Sequence, residues 1–210
     1  EVRYLNPILT TTDAEKSVAS LIFSSLFKYD GNGNIIPDAA NKWEISPDKL
    51  NYTVTLKDNI YFHDGEKLTA NDVAYTVETI QDPNFKSPLY EIWKDTKVSV
   101  TAENVVVFEL PRAYGPFIYN LDFGILPQHL SSDDFSKTII GSGPFKYSDI
   151  QKSGEKISQL KLVSNEKYYS GRPFIDKVEL DFFDQKNAAF SDYQDNDYQV
   201  VEKFIQLVDT

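Results

Sequence analysis

The clearest hydrophobic pattern in the chain is an alternation of apolar and polar residues in the segment 51–57. Successive side chains of a β-strand point to opposite faces of its sheet, so a period of two predicts a strand with one buried face. The residues predicted to be buried are Tyr52, Val54 and Leu56. A shorter alternation follows at Ile60 and Phe62, and Asp64-Gly65 after it is a strong turn signal because glycine tolerates positive φ. Together these features predict a hairpin.

The apolar spacing then changes to that of a helix. Apolar residues recur at intervals of four and three and share one helical face, whereas Glu78 falls on the solvent side. The residues of the apolar face are Val73, Val77 and Ile80. Thr69 is a suitable N-cap residue, and Asp72 places a negative charge in the first turn, where the helix dipole favours it.

The same two periods predict elements along the rest of the chain. The predicted strands are 2–5, 97–100, 105–110, 145–148, 157–163 and 174–183, and the predicted helices are 14–26, a short one within 111–122, and 184–195. Threonines 10–12 lie directly before the first helix, where their side-chain oxygens favour a helix cap. Trp43 is expected to lie in the core.

Composition narrows the classes of function. The chain has 21 basic and 32 acidic residues and a net charge of −11, which argues against nucleic acid and anionic membrane surfaces as partners. It contains no cysteine, which excludes disulfides and thiolate metal sites. No apolar run approaches the roughly 20 residues that span a bilayer. The 41% hydrophobic content predicts a globular chain with one good core or two small ones.

Several stretches carry the residue order of a known family. The longest is LNYTVTLKDNIYFHDGEKLTANDVAY at 50–75, where strand, turn, strand and capped helix follow one another. Others are LNPILTTT at 5–12, GSGPF at 141–145 and NEKYYSGRP at 165–173, the last with Tyr169 where the family usually has Trp. These stretches resemble the extracytoplasmic solute-binding proteins of ABC importers, family 5, which carry dipeptides, oligopeptides and nickel.

The resemblance implies an α/β fold of the periplasmic-binding-protein type II-like kind (cluster C). Family members are considerably longer, so we expect only their first lobe, with a small inserted α+β subdomain. The expected division is 1–42 and 129–210 for the first lobe and 43–128 for the inserted subdomain, with the second lobe absent. We expect the register after Asn187 to depart from the family pattern, because its glycine turn is replaced by QDNDY at 194–198.

The resemblance also implies where a ligand would bind. The first loop of the family lines the ligand cleft, and its glycine motif marks the strand that returns to the cleft-forming sheet. Glycine is useful at such a place because it lets backbone approach a ligand closely. The predicted ligand-binding residues are Asn6, Thr10, Thr11, Thr12, Tyr119, Phe123, Gly141, Ser142 and Gly143. Helix capping remains the alternative explanation of the threonine run.

The function implied is that of the substrate-binding component of an ABC importer for peptides or a related small solute. Two lobes would close on the solute about a hinge and dock on the membrane permease. We expect no catalytic residue, no cofactor, no resident metal, and a monomer. The expected location is periplasmic or at the cell surface, either lipid-anchored or secreted with the signal removed.

Other functions remain open at this point. Importers for carbohydrate or nickel share the scaffold, and a hydrolase is the alternative of another class. A metal site built from His63 and His129 is conceivable, since nickel and zinc accept imidazole. The pattern Asp30, Asn32, Asn34 is similar to a calcium loop, but Ile35 stands where such a loop needs glycine, so a hairpin turn is predicted instead. The dinucleotide, P-loop and G-x-S-x-G patterns are absent.

Overall fold

The computed structural model describes residues 2–130 and 139–183, and the structural statements below refer to these residues. The helices are α1 (Asp13–Ile22), α2 (Ala70–Gln81), α3 (Tyr90–Trp93) and a 3₁₀ helix (Gly115–Asn120). The strands are β1 (Phe27–Tyr29), β2 (Ile35–Pro37), β3 (Ala40–Ile45), β4 (Asn51–Leu56), β5 (Lys97–Ala102), β6 (Val105–Glu109), β7 (Phe145–Ser153), β8 (Lys156–Ser164) and β9 (Lys177–Asp181).

An antiparallel four-stranded sheet with the order β3-β4-β6-β5 contains the alternating segment recognised in the sequence. The three apolar residues of β4 are buried and the residues between them are partly exposed, which confirms the predicted strand. Helix α2 packs against β5 and β6 of this sheet. Its residues Val73, Val77 and Ile80 are fully buried and Glu78 is exposed, as the helical period predicts.

The predicted hairpin after β4 is only partly correct. Ile60 and Phe62 are buried but form no strand, because β3 and β6 already occupy the two edges of β4. A single bridge joins Tyr61 to Lys67 across the turn, and Gly65 at that turn has φ +102°. Two backbone hydrogen bonds flank this bridge, from the Phe62 N–H to the Glu66 carbonyl at 2.8 Å and from the Leu68 N–H to the Ile60 carbonyl at 3.0 Å, so the pairing is too short to count as a strand.

The glycine-rich segment between β1 and β2 is a hairpin turn, as predicted. The Asp30 carboxylate accepts hydrogen bonds from the backbone N–H groups of Asn32 and Asn34, both at 2.8 Å. Gly33 adopts φ +79° in this turn. The regular spacing of these side chains thus serves to close the turn.

A second antiparallel sheet has the order β7-β8-β9. Its first two strands confirm the predicted pairing of 145–148 with 157–163 and extend beyond it, and Gly154 turns between them with φ +65°. β9 is shorter than the predicted strand 174–183, and Phe174 before it is fully exposed. The predicted helix 184–195 lies outside the described residues.

Three further sequence predictions were wrong in detail. Segment 2–5 is not a strand, although the Val2 carbonyl accepts a hydrogen bond of 2.9 Å from the Ile157 N–H. Helix α1 ends at Ile22 instead of continuing to residue 26, because Phe23 turns to extended backbone. Trp43 is 43% exposed, since it lies on β3 at one end of the four-stranded sheet. Its ring packs edge-on against Phe27.

Aromatic rings connect the four-stranded sheet to the segment that follows it. Trp93 is fully buried, and its ring centroid lies 5.8 Å from that of Phe108, 5.3 Å from that of Phe117 and 5.1 Å from that of Phe123. Edge-on ring pairs at such distances contribute more than burial alone. The cluster fixes the course of the chain after the 3₁₀ helix.

Asp72 connects the start of α2 to the loop that follows residue 126. Its carboxylate accepts bonds from the Thr69 N–H at 2.7 Å, the Thr69 hydroxyl at 2.9 Å and the Gln128 N–H at 2.8 Å. We expect Asp72→Ala to lower the free energy of unfolding by about 2 kcal/mol, because it removes a cap and leaves donors unpaired. Urea denaturation followed by circular dichroism would measure this. Glu78→Ala, on the exposed face of α2, is the control, and equal midpoints for both variants would contradict the prediction.

Candidate functional site

The glycine-containing segment 141–143 is held by backbone contacts from several elements. The Gly143 N–H donates to the Ile22 carbonyl at the end of α1 at 2.8 Å, and the Ser24 hydroxyl donates to the Ser142 carbonyl at 3.0 Å. The Asn165 side-chain amide donates to the Gly143 carbonyl at 3.0 Å. The segment thus joins the first helix to the sheet β7-β8-β9.

The two glycines of this segment are required by its packing against α1. A Cβ atom at Gly141 would lie 2.0 Å from the Ile22 carbonyl oxygen, and one at Gly143 would lie 2.6 Å from the Ile22 carbonyl carbon. Real Cβ atoms do not approach backbone so closely. Packing against the Ile22 backbone therefore explains why both positions are glycine. A role for them in contacting a ligand stays a prediction.

His63 holds segment 141–143 from the other side. Its Nδ1 faces the Gly141 N–H at 3.3 Å and its Nε2 faces the Gly143 carbonyl at 3.1 Å. Burial lowers the pKa of His63 from its usual 6.5 to about 4. Sequence patterns carried no sign of these contacts about 80 residues away along the chain, because long-range pairing leaves no local pattern.

The loop 6–12 is built by its own side chains. The Asn6 side-chain oxygen accepts from the Ile8 N–H at 3.1 Å, and the Thr10 hydroxyl donates to the Pro7 carbonyl at 3.2 Å. Thr12 caps α1, since its hydroxyl oxygen accepts from the Glu15 N–H at 3.2 Å. The predicted capping role of the threonine run is therefore confirmed for Thr12.

Glu15 organises the same loop from inside. Its carboxylate is buried and accepts bonds from the backbone N–H groups of Arg3 at 2.9 Å, Thr11 at 2.8 Å and Thr12 at 3.2 Å. Burial alone would raise the pKa of Glu15, but the hydrogen bonds from these N–H groups outweigh it, so the pKa is lowered. The carboxylate thus stays charged and keeps the loop closed over the start of α1.

A cavity of about 340 Å³ opens beside this loop. Asn6, Phe23 and Ile139 line it together with residues of β7, among them Ile150 and Lys152. Phe23 also faces segment 141–143, because its ring carbon lies 3.0 Å from the position of a Cβ at Gly141. Phe23 therefore packs against the glycine-containing segment and lines the same cavity as Asn6. Phe23 and Ile139 carried no signal in the sequence beyond their apolar character.

The predicted binding residues differ in exposure. Thr11, Thr12 and Tyr119 are exposed, whereas Phe123 and Ser142 are buried. Asn6 and Thr10 are partly buried, and Gly141 and Gly143 are buried. Tyr119 is stacked on Tyr29 with centroids 6.4 Å apart and does not line the cavity. Of the nine predicted residues, all of which the structure describes, only Asn6 lines the cavity, whereas Gly141 packs against the cavity residue Phe23.

Tyr169 forms a hydrogen bond with a buried carboxylate. Its hydroxyl donates to the buried Asp38 carboxylate at 2.7 Å, and Lys28 forms an ion pair with the same carboxylate at 2.8 Å. Burial, together with the neighbouring Asp38 charge, raises the pKa of Tyr169, so the hydroxyl remains protonated and able to donate.

The two histidines do not share a site in this structure. Both ring nitrogens of His63 face backbone groups, and His129 Nε2 pairs with an Asp64 carboxylate oxygen at 2.7 Å. In the described parts of the chain, no three His, Cys, Asp or Glu residues lie together as a metal site would need. Within 2–130 and 139–183, no helix has the length and apolar character that crossing a membrane requires.

The arrangement of sheets and helices matches solved structures of the periplasmic-binding-protein type II fold over about 40% of their length. Residues 34–208 match the family model described as bacterial extracellular solute-binding proteins, family 5 Middle. The chain belongs to this family, as the sequence resemblance predicted.

Three comparisons show how the chain relates to known members. It is 32% identical to the oligopeptide-binding protein AppA of Bacillus subtilis (strain 168), over 99% of this chain and 42% of that protein. The crystal structure of NikZ from Campylobacter jejuni in complex with Ni(L-His) matches with a TM-score of 0.84 and 28% identity, over 93% of this chain and 40% of NikZ. The structure of Bacillus subtilis AppA in complex with a nonapeptide matches with a TM-score of 0.80 and 30% identity, over 90% and 40%. The chain therefore spans about two fifths of the length of these relatives.

The contact between segment 141–143 and α1 predicts the effect of a single methyl group. Gly141→Ala should lower the free energy of unfolding by about 2 kcal/mol or more, because the Ile22 backbone cannot move away without disturbing α1. Gly31→Ala is the matched control, since nothing lies within 4 Å of a Cβ there. Thermal or urea unfolding would measure both variants. Equal stability of the two would show that the segment is not packed as described.

Proposed function

We propose that this chain is one lobe of the substrate-binding component of an ABC importer, which captures peptides or a related small solute outside the cytoplasmic membrane. The observation that carries the proposal is the family match over 34–208, together with the similarity to the oligopeptide-binding protein AppA along almost the whole chain. No bond of the solute is made or broken in this function. The hydrolase alternative is not favoured, because the names of the relatives compared describe binding proteins.

The proposed mechanism is closure of two lobes on the solute. The rest of the protein supplies the second lobe, and the cavity between loop 6–12 and Ile139 forms part of the cleft wall. Asn6 lines this wall and offers a polar side chain, Thr10 is partly buried in the same loop, and the exposed Thr11, Thr12 and Tyr119 face solvent. Phe123 and segment 141–143 are buried, and Gly141 packs against Phe23, which lines the wall.

We also propose the division into a lobe formed by 1–42 and 129–210 and an inserted subdomain formed by 43–128. In support, the strands of the four-stranded sheet, from Ala40 to Glu109, pair with one another and not with β7, β8 or β9. The two parts remain closely joined. The Ile125 N–H donates to the Ser24 carbonyl at 2.9 Å, and the Ser87 hydroxyl donates to the Ile8 carbonyl at 2.7 Å.

The proposed partner is the membrane permease of the importer, and the proposed state in solution is a monomer. The proposed location is periplasmic or at the cell surface, with the protein either lipid-anchored or secreted. Membership of a family described as extracellular supports a location outside the cytoplasm. The net charge of −11 supports the absence of nucleic acid among the partners.

A nickel chelate is the second candidate solute. The structure of NikZ with Ni(L-His) matches this lobe with a TM-score of 0.84. The described residues hold no group of three metal-ligating side chains, so we propose that the metal arrives already chelated. The chelating molecule would supply imidazole nitrogen and carboxylate oxygen as ligands.

Isothermal titration calorimetry on the intact protein would test both candidates. We expect heat release with dipeptides, tripeptides or a nonapeptide, and none with oligosaccharides. Heat release with Ni²⁺ only when L-histidine is present would favour the chelate. Binding of oligosaccharides alone, or turnover of an ester or glycoside, would overturn the proposal.

A variant would test whether the solute contacts loop 6–12. Asn6→Ala should weaken solute binding about tenfold, because one hydrogen-bonding side chain of the cleft wall is lost. Thr101→Val, on the exposed surface of β5, is the control and should bind as the parent does. Circular dichroism would verify that both variants are folded. Unchanged affinity in folded Asn6→Ala would remove loop 6–12 from the site.

A further inference from the structure

We propose that His63 is a positioning residue, which fixes segment 141–143 as a neutral imidazole with its proton on Nε2. The proposal rests on the proposed function only in treating this segment as support of the cleft wall. The arrangement of hydrogen bonds around the ring can be tested without any solute.

The two backbone groups that face the ring determine its protonation. A peptide N–H can only donate, so the Nδ1 atom that faces the Gly141 N–H at 3.3 Å carries no proton. A peptide carbonyl can only accept, so the Nε2 atom that faces the Gly143 oxygen at 3.1 Å carries one. A single tautomer satisfies both contacts. The ring therefore spans the segment from its first residue to its last.

The backbone of His63 adds a third contact to the same segment. Its N–H donates to the Gly141 carbonyl at 2.8 Å. Both backbone polar groups of Gly141 are thus bonded to His63, one through the ring and one through the main chain. Gly141 is buried, so loss of the ring contact would leave a donor without this partner at a measurable cost.

The contact reaches the cavity through two neighbours of Gly141. Ile139 lies two residues before it and lines the cavity, as Asn6 does. Phe23 packs against Gly141 and also lines the cavity. A shift of Gly141 would therefore move the wall of the cavity, although His63 itself does not line it.

Burial of the ring, together with the nearby charge of Lys146, keeps it neutral. Burial is the main cause of the lowered pKa of His63, and the positive charge of Lys146 lowers it further. The Lys146 ammonium donates to the His63 carbonyl at 3.3 Å. The neighbouring Asp64 opposes this effect, and it is paired with His129. A proton on Nδ1 would remove the acceptor of the Gly141 N–H, so the contact holds near neutral pH and opens in acid.

Nitrogen-15 NMR of the imidazole rings in the intact protein tests the tautomer, with the His63 signals identified by their loss in His63→Gln. We expect an unprotonated Nδ1, a protonated Nε2 and a titration midpoint near pH 4. His129→Gln, which removes the chain's other histidine, should leave these signals in place. A proton on Nδ1, or titration near the ordinary value of 6.5, would overturn the proposal.

Hydrogen exchange at pH 7, followed by mass spectrometry of the peptide that covers 139–145, tests the positioning role. His63→Gln should speed exchange of this peptide about tenfold, because the amide oxygen and nitrogen cannot reproduce both ring contacts. His63→Asn places an oxygen near the position of Nδ1 and should restore part of the protection. Exchange equal to the parent in both variants would refute positioning. The result is separable from the proposed function, because no solute is present.

Discussion

The described structure depends on one close approach, in which the backbone of segment 141–143 lies directly against the last turn of α1. Two residues without side chains make this approach possible, and a hydrogen bond of 2.8 Å from Gly143 to Ile22 completes it. Residues more than 110 positions apart along the chain are thereby fixed in contact. Because Thr12 caps the start of α1, the loop 6–12 is fixed by the same contact at the other end of the helix.

Two buried carboxylates, those of Glu15 and Asp72, connect further parts of the chain through hydrogen bonds. Glu15 gathers the backbone donors before α1, while Asp72 gathers those at the start of α2 and at residue 128. Each carboxylate is buried and bonded several times, which is the condition under which a buried charge stabilises. Acidic residues at helix starts therefore act here as long-range connectors as well as caps.

Local patterns predicted the local structure well. The alternation in 51–57, the helical spacing after Thr69 and the turn glycines appear in the structure because their causes lie within a few residues of each other. The same reasoning was wrong for 60–62 and for Trp43. An alternation records which side chains are buried, but it cannot tell whether a neighbouring strand edge is free, nor which strand of a sheet lies outermost.

The candidate site was less predictable, for the same physical reason. The resemblance of 5–12 and 141–145 to a family indicated which segments matter, and the structure brings them together around Phe23. The role of His63 could not be inferred, since its two ring contacts join groups about 80 residues away. Contacts of that kind depend on the completed fold, and a single sequence holds no trace of them.

The outer position of β3 has a further consequence for how the lobe behaves in a crowded solution. A strand at the border of a sheet can recruit an extended segment of another molecule, and an exposed indole would strengthen such an attachment. Lys42 and Glu44 flank Trp43 with opposite charges, and the pairing with β4 is irregular between Ala40 and Lys42. Charge and irregular pairing both discourage the growth of stacked strands, so the border can carry an aromatic ring without becoming a nucleus for aggregation.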